Sequence, residues 1–344
     1  MIITDLSSLG WTPFFSRQVT PDDDHLLPAR VSEVQRSHLT VLPGPTRLVA
    51  PEGTGRLAVG DWVLHDGARV LRRLDPSTEI TRKGAGEGSE RQLIVSNVDT
   101  LGIVTSCNAD FSVARLERYV AIAMSAGCLP LVVLTKADQA EDPETYLSEA
   151  RRLSPLVTAL ALNAKDPEEV ARMHPWVGPG RTLALVGSSG VGKTTIQNAL
   201  TGTEAATQDI REDDARGRHT TTARALRRTR AGGCLIDTPG MRELGMLEAS
   251  EGIAQLFADI EELATQCRFR DCAHEGEPGC AVQAAIVAGI IEEGRLRRWR
   301  KLEREDRLHT EALHEKHART RSWAKATSQG SARARWKRRG PEED

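Results

Sequence analysis

The sequence predicts a multidomain α/β protein with three structural parts. Short β-like segments separated by Gly and Pro turns come first and are typical of a small antiparallel barrel. Apolar strands then alternate with amphipathic helices, which indicates a doubly wound domain with a mostly parallel sheet. The last part is helical and carries a cluster of cysteines and a histidine. A length of 344 residues also favours two or three domains over one.

Composition favours a soluble globular protein. Hydrophobic residues make up 39% and charged residues 27%, which excludes a wholly disordered chain. No apolar run reaches the roughly 20 residues needed to cross a bilayer, and the first residues lack the pattern of a secretory signal. Six cysteines are too few for a disulfide scaffold. We therefore expect a cytoplasmic monomer with no membrane partner.

The predicted parts follow changes in residue pattern along the chain. Their boundaries are a loose leader over 1–27, the barrel over 28–90, the α/β domain over 91–250, the metal-binding helical domain over 251–325 and a basic, disordered tail over 326–344. Candidate strands of the α/β domain are Thr100–Thr105, Leu131–Thr135, Val157–Leu162, Thr182–Val186 and Cys234–Asp237. Helical spacing predicts a helix over Ser112–Ala126 that stops at Gly127.

A glycine-rich loop carries the strongest functional signal. It reads GSSGVGKTT, fits the pattern G-x-x-x-x-G-K-[ST] and directly follows the apolar strand TLALV. Glycines allow the backbone to approach a phosphate chain, Lys193 supplies a cation for its outer phosphates, and Thr194 supplies a hydroxyl for Mg²⁺. The candidate nucleotide-binding residues are Gly187, Ser188, Ser189, Gly190, Val191, Gly192, Lys193, Thr194 and Thr195.

Two further segments are typical of a GTPase switch. Asp237 and Gly240 form a D-x-x-G pattern after the strand CLID, in which the Asp reaches the metal and the Gly amide contacts the terminal phosphate. The segment GRHTTT lies between this pattern and the glycine-rich loop, and one of its threonines would complete the Mg²⁺ shell. We favour Thr221 over Thr220 for that role.

Two motifs predict a guanine base rather than adenine. TKAD, formed by Thr135, Lys136, Ala137 and Asp138, ends the apolar strand LVVL. A single carboxylate can accept the two adjacent donors of guanine, so Asp138 is the expected base-reading group, and Lys136 would lay its stem across the base. NAK follows another strand and would place backbone donors near the guanine carbonyl; it comprises Asn163, Ala164 and Lys165.

The motifs stand in a rotated order along the chain. An ordinary small GTPase has the phosphate loop and switches first, whereas here the two base motifs precede them. A packed α/β sheet tolerates this rotation because domain termini usually lie close together.

Four residues predict a closed metal site. Cys267, Cys272, His274 and Cys280 give the spacing C-x₄-C-x-H-x₅-C. Three thiolates and one imidazole suit a tetrahedral, structural Zn²⁺, one per chain, with no open position for catalysis. The other three cysteines lie on apolar elements, where buried thiols are expected.

The C-terminal end of the chain is strongly basic. Residues 295–340 hold 16 Lys and Arg against five Asp and Glu, although the net charge of the whole chain is −2. Seven basic residues recur along a predicted helix and could neutralise RNA phosphates, with Trp299 either stacking on RNA or packing in the protein. The seven are Arg295, Arg297, Arg298, Arg300, Lys301, Arg304 and Arg307.

Together these motifs resemble the circularly permuted GTPases of ribosome assembly, and specifically the ribosome small-subunit-dependent GTPase A (RsgA) family. The resemblance covers roughly residues 28–310 and rests on VGDWVL, NVDTLGIVTS, LERYVAIA, VVLTKAD, LVGSSGVGKTT, GRHTTT, LIDTPGMREL and the cysteine cluster. It implies an oligonucleotide-binding (OB) barrel, a permuted GTPase domain and a zinc domain. It further implies a factor that docks on the small ribosomal subunit and its rRNA late in maturation, binding GTP or GDP with Mg²⁺.

Hydrolysis needs an oriented water, and many GTPases orient it with a Gln directly after D-x-x-G. Met241 occupies that place and cannot do so. His219 is the candidate catalytic residue within the chain, and the resemblance supports it. Gly190 stands where potassium-using GTPases carry Asn, which argues against activation by a monovalent cation.

Two alternatives stay open. One is an RNA-binding protein in which GTP is a regulatory ligand with negligible turnover. The other is an assembly GTPase of the large subunit, against which the barrel and the metal cluster argue. We also expect Leu247–Gln266 to form one amphipathic helix that links the second switch to the metal site.

Overall fold

The computed structural model describes residues 6–50, 56–83, 91–203, 224–237 and 249–311. Eleven of the strands in these ranges join into one sheet, and two more form a separate ribbon. None of the helices in the described ranges is both long and apolar enough to span a membrane.

The strands are β1 (Leu27–Val34), β2 (Leu39–Leu42), β3 (Thr46–Leu48), β4 (Trp62–His65), β5 (Val70–Arg73), β6 (Glu79–Lys83), β7 (Arg91–Ser96), β8 (Thr100–Ser106), β9 (Leu129–Thr135), β10 (Thr158–Ala161), β11 (Thr182–Gly187), β12 (Ala225–Arg228) and β13 (Cys234–Asp237). The α-helices are α1 (Pro13–Ser16), α2 (Val113–Ser125), α3 (Pro143–Arg151), α4 (Pro167–Ala171), α5 (Lys193–Thr201), α6 (Ser250–Leu256), α7 (Ala258–Ala264), α8 (Ala281–Val287) and α9 (293–311).

The first five strands close into a small barrel. Strand β1 pairs antiparallel with β2 and with β4, β2 pairs with β3, and β4 pairs with β5. A bridge between Val49 and Arg69 then joins the end of β3 to the start of β5. Alternate residues of these strands face inward, as in any half-buried strand. They form a separate apolar core of Ala29, Val31, Leu39, Val41, Leu48, Val63 and Val70.

The prediction of a loose N-terminal leader is wrong for residues 6–26. This segment forms three helical turns, and Leu9 and Phe15 are buried in the main core. The Trp11 ring meets the buried Trp62 ring of β4 edge-on, with centroids 4.8 Å apart. No period was visible in the sequence because each turn has only three or four residues, too few to show a repeat.

The nucleotide domain is built on a mostly parallel sheet. Its strand order is β10-β9-β8-β11-β13-β12, and every neighbouring pair is parallel except β12 with β13. All five predicted strands and the predicted helix α2 are present within one or two residues of their expected bounds. Strand β12 was missed because ALRR shows neither an apolar run nor alternation.

The barrel and the nucleotide domain form one continuous structure. Glu33 of β1 pairs with Ala225 of β12, which joins their sheets. Arg30 is buried at this junction, where its guanidinium donates to the Thr182 hydroxyl (2.9 Å) and the Asn97 carbonyl (2.6 Å). A buried arginine with several acceptors ties the leader, barrel and sheet together.

The C-terminal part is helical, as predicted. However, the segment Leu247–Gln266 does not form the single helix that the sequence predicts. The described portion contains two helices, α6 and α7, separated at Phe257, whose backbone leaves the helical region (φ −107°, ψ 34°). Phe257 is fully buried, and the guanidinium of Arg295 lies 4.7 Å from its ring centroid. The described part of this segment is therefore two helices and not the one continuous helix expected from the sequence.

Candidate functional site

The predicted nucleotide motifs converge on one edge of the parallel sheet. Strands β8, β9, β10, β11 and β13 all run in the same direction. Their carboxyl ends therefore lie side by side, which is where α/β sheets bind ligands. The phosphate loop follows β11, TKAD ends β9, NAK follows β10, and Asp237 ends β13. The rotated chain order does not change this spatial arrangement.

The phosphate loop begins with a glycine that the packing requires. Gly187 has φ +138°, and a Cβ at this position would lie 2.0 Å from the carbonyl oxygen of Val104 on β8. A side chain here would displace the loop from the neighbouring strand. The loop leads directly into α5, which starts at Lys193. Its amides and the start of the helix together suit an anionic ligand.

The TKAD motif holds the phosphate loop directly. The buried Thr135 hydroxyl donates to the carbonyl oxygen of Val191, 2.7 Å away. A Cβ on Gly192 would lie 3.5 Å from the Cβ of Ala164 and 3.6 Å from the Cγ2 of Thr135. The phosphate loop, TKAD and NAK are therefore in contact, and Thr135 acts as a structural tie rather than as a base-reading group.

The remaining base-motif residues lie in two short turns. Lys136 adopts a left-handed backbone conformation (φ 56°), and Asp138 follows it in an exposed 3-10 turn. The Asn163 side chain accepts the Lys165 amide (2.9 Å), while the Asn163 amide donates to the carboxylate of Glu169 (2.9 Å). Glu169 was not predicted from the sequence, because a contact six residues away belongs to no recognised motif.

Lysine and hydroxyl groups line the loop itself. The Lys193 ammonium folds over it and donates to the carbonyl oxygens of Gly187 (2.9 Å) and Ser188. Ser189 and Gly190 are exposed, and Thr194 and Thr195 are partly exposed at the first turn of α5. Asp237 is also partly exposed at the end of β13. The sequence predictions for Gly240, Met241, His219, Thr220 and Thr221 lie outside the described residues.

The four predicted metal ligands form one cluster. Their ligand atoms all lie within 4.8 Å of one another. The Sγ atoms of Cys267 and Cys280 are 3.9 Å apart, and the Nδ1 atom of His274 is 3.6 Å and 3.5 Å from them. Tetrahedral zinc bonds place neighbouring sulfurs about 3.8 Å apart and sulfur and nitrogen about 3.5 Å apart. The donor set and spacing therefore fit a four-coordinate zinc site.

Residues outside the predicted ligand set hold the loop between Cys267 and Cys280, which we call the metal loop. The Glu277 carboxylate accepts the amides of Ala273 and Glu275, both at 2.8 Å. A hydrogen bond from its own backbone amide, and then those from Ala273 and Glu275, lower the pKa of Glu277 to about 2. The carbonyl oxygen of His274 accepts from both Gln283 and Arg300. Burial and then the charge of Arg300 lower the pKa of His274, which favours the neutral, metal-binding imidazole.

The predicted basic residues of helix α9 fall into two groups, those that bind the protein and those that are exposed. Arg295 binds Asp259, Arg298 binds the buried Glu117 of α2, and Arg300 binds the metal loop. Trp299 is buried and donates to Glu261, so it packs within the protein. The other four are exposed, namely Arg297, Lys301, Arg304 and Arg307. Within the described residues, no ion pair involves these four side chains.

The chain is similar in sequence to known proteins of one family. A family model described as RsgA GTPase matches residues 74–247. The small ribosomal subunit biogenesis GTPase RsgA of Mesorhizobium japonicum is 50% identical over 315 residues, which cover 89% of this chain and 91% of that protein. The small ribosomal subunit biogenesis GTPase RsgA 2 of Vibrio parahaemolyticus is 44% identical over 327 residues, covering 94% and 91%.

Two solved structures share the fold. YjeQ from Thermotoga maritima matches with a TM-score of 0.59 and 22% identity, over 80% of this chain and 97% of that one. YloQ, described as a circularly permuted GTPase, matches with the same TM-score and identity over 83% and 97%. With the motifs on one sheet edge and these matches over most of its length, the chain belongs to the RsgA GTPase family and is a circularly permuted GTPase.

Proposed function

We propose that this GTPase acts as a late assembly and checkpoint factor on the small ribosomal subunit. The observation that carries the proposal is the convergence of the phosphate loop, TKAD, NAK and Asp237 on one sheet edge, in a chain 44–50% identical to proteins named small ribosomal subunit biogenesis GTPases. A GTPase cycle lets such a factor bind its partner in one nucleotide state and leave in the other. The protein is expected to act as a cytoplasmic monomer.

The nucleotide-binding roles follow from chemistry and position. Lys193 and the loop amides bind the phosphates of GTP, and Asp138 reads guanine. Thr194, Thr221 and Asp237 would hold Mg²⁺, which would supply positive charge beside the phosphates when bound. The position of Ala164 supports these nucleotide-binding roles, because Ala164 lies directly beside Gly192 of the phosphate loop.

The residue that directly follows D-x-x-G does not supply a group that could orient the catalytic water. Met241 follows D-x-x-G and has no group that orients a water. His219 is the proposed catalytic residue of this chain, and the small subunit is proposed to complete or order the site. Turnover by the isolated protein is therefore slow, and the subunit stimulates it.

The metal cluster is proposed to hold one structural zinc. Zinc would fix the loop between Cys267 and Cys280 and supply much of the folding free energy of this small module. Four protein ligands leave no position for a reacting group. Glu277, Gln283 and Arg300 orient the loop backbone from outside the ligand set.

The barrel and the C-terminal helices are proposed to contact rRNA. On the barrel, Arg36, Arg47 and Arg69 are exposed at its turns and edge. On α9, the outward face carries four exposed cations, and three of them, Arg297, Lys301 and Arg304, recur along about 10 Å of helix. Exposed cations are available to neutralise phosphates.

A binding experiment tests the proposal. Purified small and large ribosomal subunits would each be sedimented with the full chain bound to GDP or to a non-hydrolysable GTP analogue. We expect nucleotide-dependent binding to small subunits and none to large subunits. Equal binding to both subunits, or binding that ignores the nucleotide, would contradict the proposed role.

A further inference from the structure

The turn after α8 carries the two most exposed large apolar side chains of the described residues. Val287 is 89% exposed and Ile290 is 72% exposed, whereas the next in this part of the chain, Leu156, is 62% exposed. Single apolar side chains are normal on a protein surface. Two highly exposed ones within one turn of each other form a contiguous apolar surface, which is typical of an interaction site.

The residues around this pair are also apolar. Ala284 lies one turn before Val287 on the same side of α8, and Ala284, Ala288 and Gly289 are exposed. The sequence from 284 to 291 contains no polar or charged side chain. We call the exposed residues 284 and 287–290 the apolar turn.

Backbone hydrogen bonds hold the apolar turn in this exposed arrangement. The amide of Ile290 donates to the carbonyl oxygen of Ala285 (2.9 Å), and the amide of Gly289 donates to that of Ile286 (3.0 Å). With Gly289 at φ +71°, this is a Schellman cap, in which the residue after the glycine usually packs on the last helical turn. Here Ile290 remains largely exposed, while Ala285 and Ile291 on either side are buried.

The charges directly after the apolar turn are acidic. Glu292 and Glu293 follow it in sequence, and both are exposed. The Glu292 side chain is 77% exposed and lies 3.9 Å from the guanidinium of Arg298, near the limit for an ion pair. Both carboxylates are therefore accessible to a partner. Carboxylates repel the phosphates of RNA and attract cationic side chains.

The apolar turn borders the surface that is proposed to meet rRNA. The exposed cations of α9 begin at Arg297, one helical turn after Glu293. A partner on the apolar turn would therefore lie close to the rRNA that these cations contact. Proteins that stay bound to rRNA need cationic segments to neutralise its phosphates. Such a protein matches both the position and the charge of this surface.

We propose that the apolar turn is a docking site for a cationic segment of a small-subunit protein. That segment would place an apolar side chain against Val287 and Ile290 and a Lys or Arg beside Glu292 and Glu293. Apolar anchors inside a polar rim are the usual anatomy of a protein interface. This inference rests on the proposed function and adds a protein contact to the proposed rRNA contacts of α9.

A paired binding measurement tests the apolar part of the site. Val287→Ser with Ile290→Ser should lower the affinity of the full chain for purified small subunits about tenfold or more, because two apolar anchors lose their burial. Its affinity for protein-free small-subunit rRNA should match wild type, because the cations of α9 are unchanged. Leu129→Ser with Leu156→Ser is the matched control, since it removes two exposed leucines of the nucleotide domain. This control should bind both targets like wild type.

The acidic pair gives a test that depends on the sign of the charge. Glu292→Gln with Glu293→Gln removes two negative charges, which weakens attraction to a cationic protein and relieves repulsion of RNA. The ratio of the affinity for small subunits to the affinity for protein-free rRNA should therefore fall. An equal change for the two targets would show that these carboxylates act on RNA alone and would overturn the proposal.

Photocrosslinking identifies the occupant directly. A p-benzoylphenylalanine introduced at position 287 should crosslink to a small-subunit protein when the full chain is bound to small subunits. A crosslink to rRNA alone, a crosslink to a second copy of this chain, or no crosslink would overturn the proposal. Wild-type affinity of the Val287→Ser, Ile290→Ser variant for small subunits would do the same. Failure of the proposed function would appear differently, since the wild type itself would then not bind small subunits.

Discussion

The hydroxyl of Thr135 donates a 2.7 Å hydrogen bond to the carbonyl oxygen of Val191, which ties the base motif to the phosphate loop. Thr135 ends β9, and Val191 immediately precedes Gly192 at the start of α5. The same hydroxyl lies 3.1 Å from the carbonyl oxygen of Thr105 on β8. One side chain therefore fixes the position of the phosphate loop relative to two neighbouring strands.

Replacing this hydroxyl tests the tie. Thr135→Val keeps the shape but leaves the buried Val191 carbonyl without its partner, which costs about 1–3 kcal/mol. We expect GTP affinity to fall about tenfold in a calorimetric titration, because the loop loses its fixed position. Thr135→Ser retains the hydroxyl and should bind GTP almost as well as wild type. Equal affinities for the Val and Ser variants would contradict the assigned role.

Base specificity is predicted to depend on Asp138. Asp138→Asn removes the carboxylate that accepts both guanine donors and adds a donor suited to the xanthine carbonyl. GTP affinity should fall, and affinity for xanthosine triphosphate should rise. Asp142→Asn is a control, since that carboxylate caps α3 and is expected to have no part in base recognition. Unchanged GTP affinity in the Asp138 variant would remove this residue from the base site.

Much of this site was predictable from the sequence because its motifs combine short spacing with strand context. The phosphate loop, TKAD and the four predicted metal ligands each lie within a short stretch of sequence. The permuted order was also visible, since it needs only the positions of the motifs. The α/β strands were predicted because buried parallel strands are continuous apolar runs.

The rest depends on contacts between distant segments. Nothing local marks Asp306 as the partner of Ala249, or Glu117 as the partner of Arg298. The break at Phe257 could not be predicted from the sequence, because Phe257 fits the apolar spacing of a regular helix. The basic residues of α9 looked alike in sequence, and only tertiary packing separates the three that bind the protein from the four that face outward.

The outward face of α9 should contribute to RNA affinity through charge. Replacing Arg297, Lys301 and Arg304 with Ala should weaken small-subunit binding and lower the slope of log affinity against log salt by about 2 to 3, at roughly 0.7–0.9 per phosphate contact. Arg151→Ala with Arg152→Ala removes two exposed cations at the C-terminal end of α3 and is the control. Equal slopes for the α9 variant and wild type would show that this face does not meet RNA.

Metal removal should unfold the C-terminal module and spare the phosphate loop. Cys280→Ser loses one of four ligands, so the variant should retain much less zinc, measured by atomic emission, and should show local loss of helix by circular dichroism. GTP binding should persist, because the fold around the phosphate loop does not depend on the metal. Cys128→Ser replaces a buried thiol that is not part of the cluster and should keep one zinc per chain. Full zinc retention by Cys280→Ser would contradict the ligand assignment.

We infer that the small ribosomal subunit controls GTP turnover by this chain. The most direct measurement is the steady-state rate of phosphate release from GTP by the full chain, alone and with purified small subunits. Because Met241 supplies no water-orienting group, we expect a slow rate alone and a rise of about tenfold or more with small subunits. A rate that small subunits leave unchanged, or that large subunits raise equally, would contradict the claim.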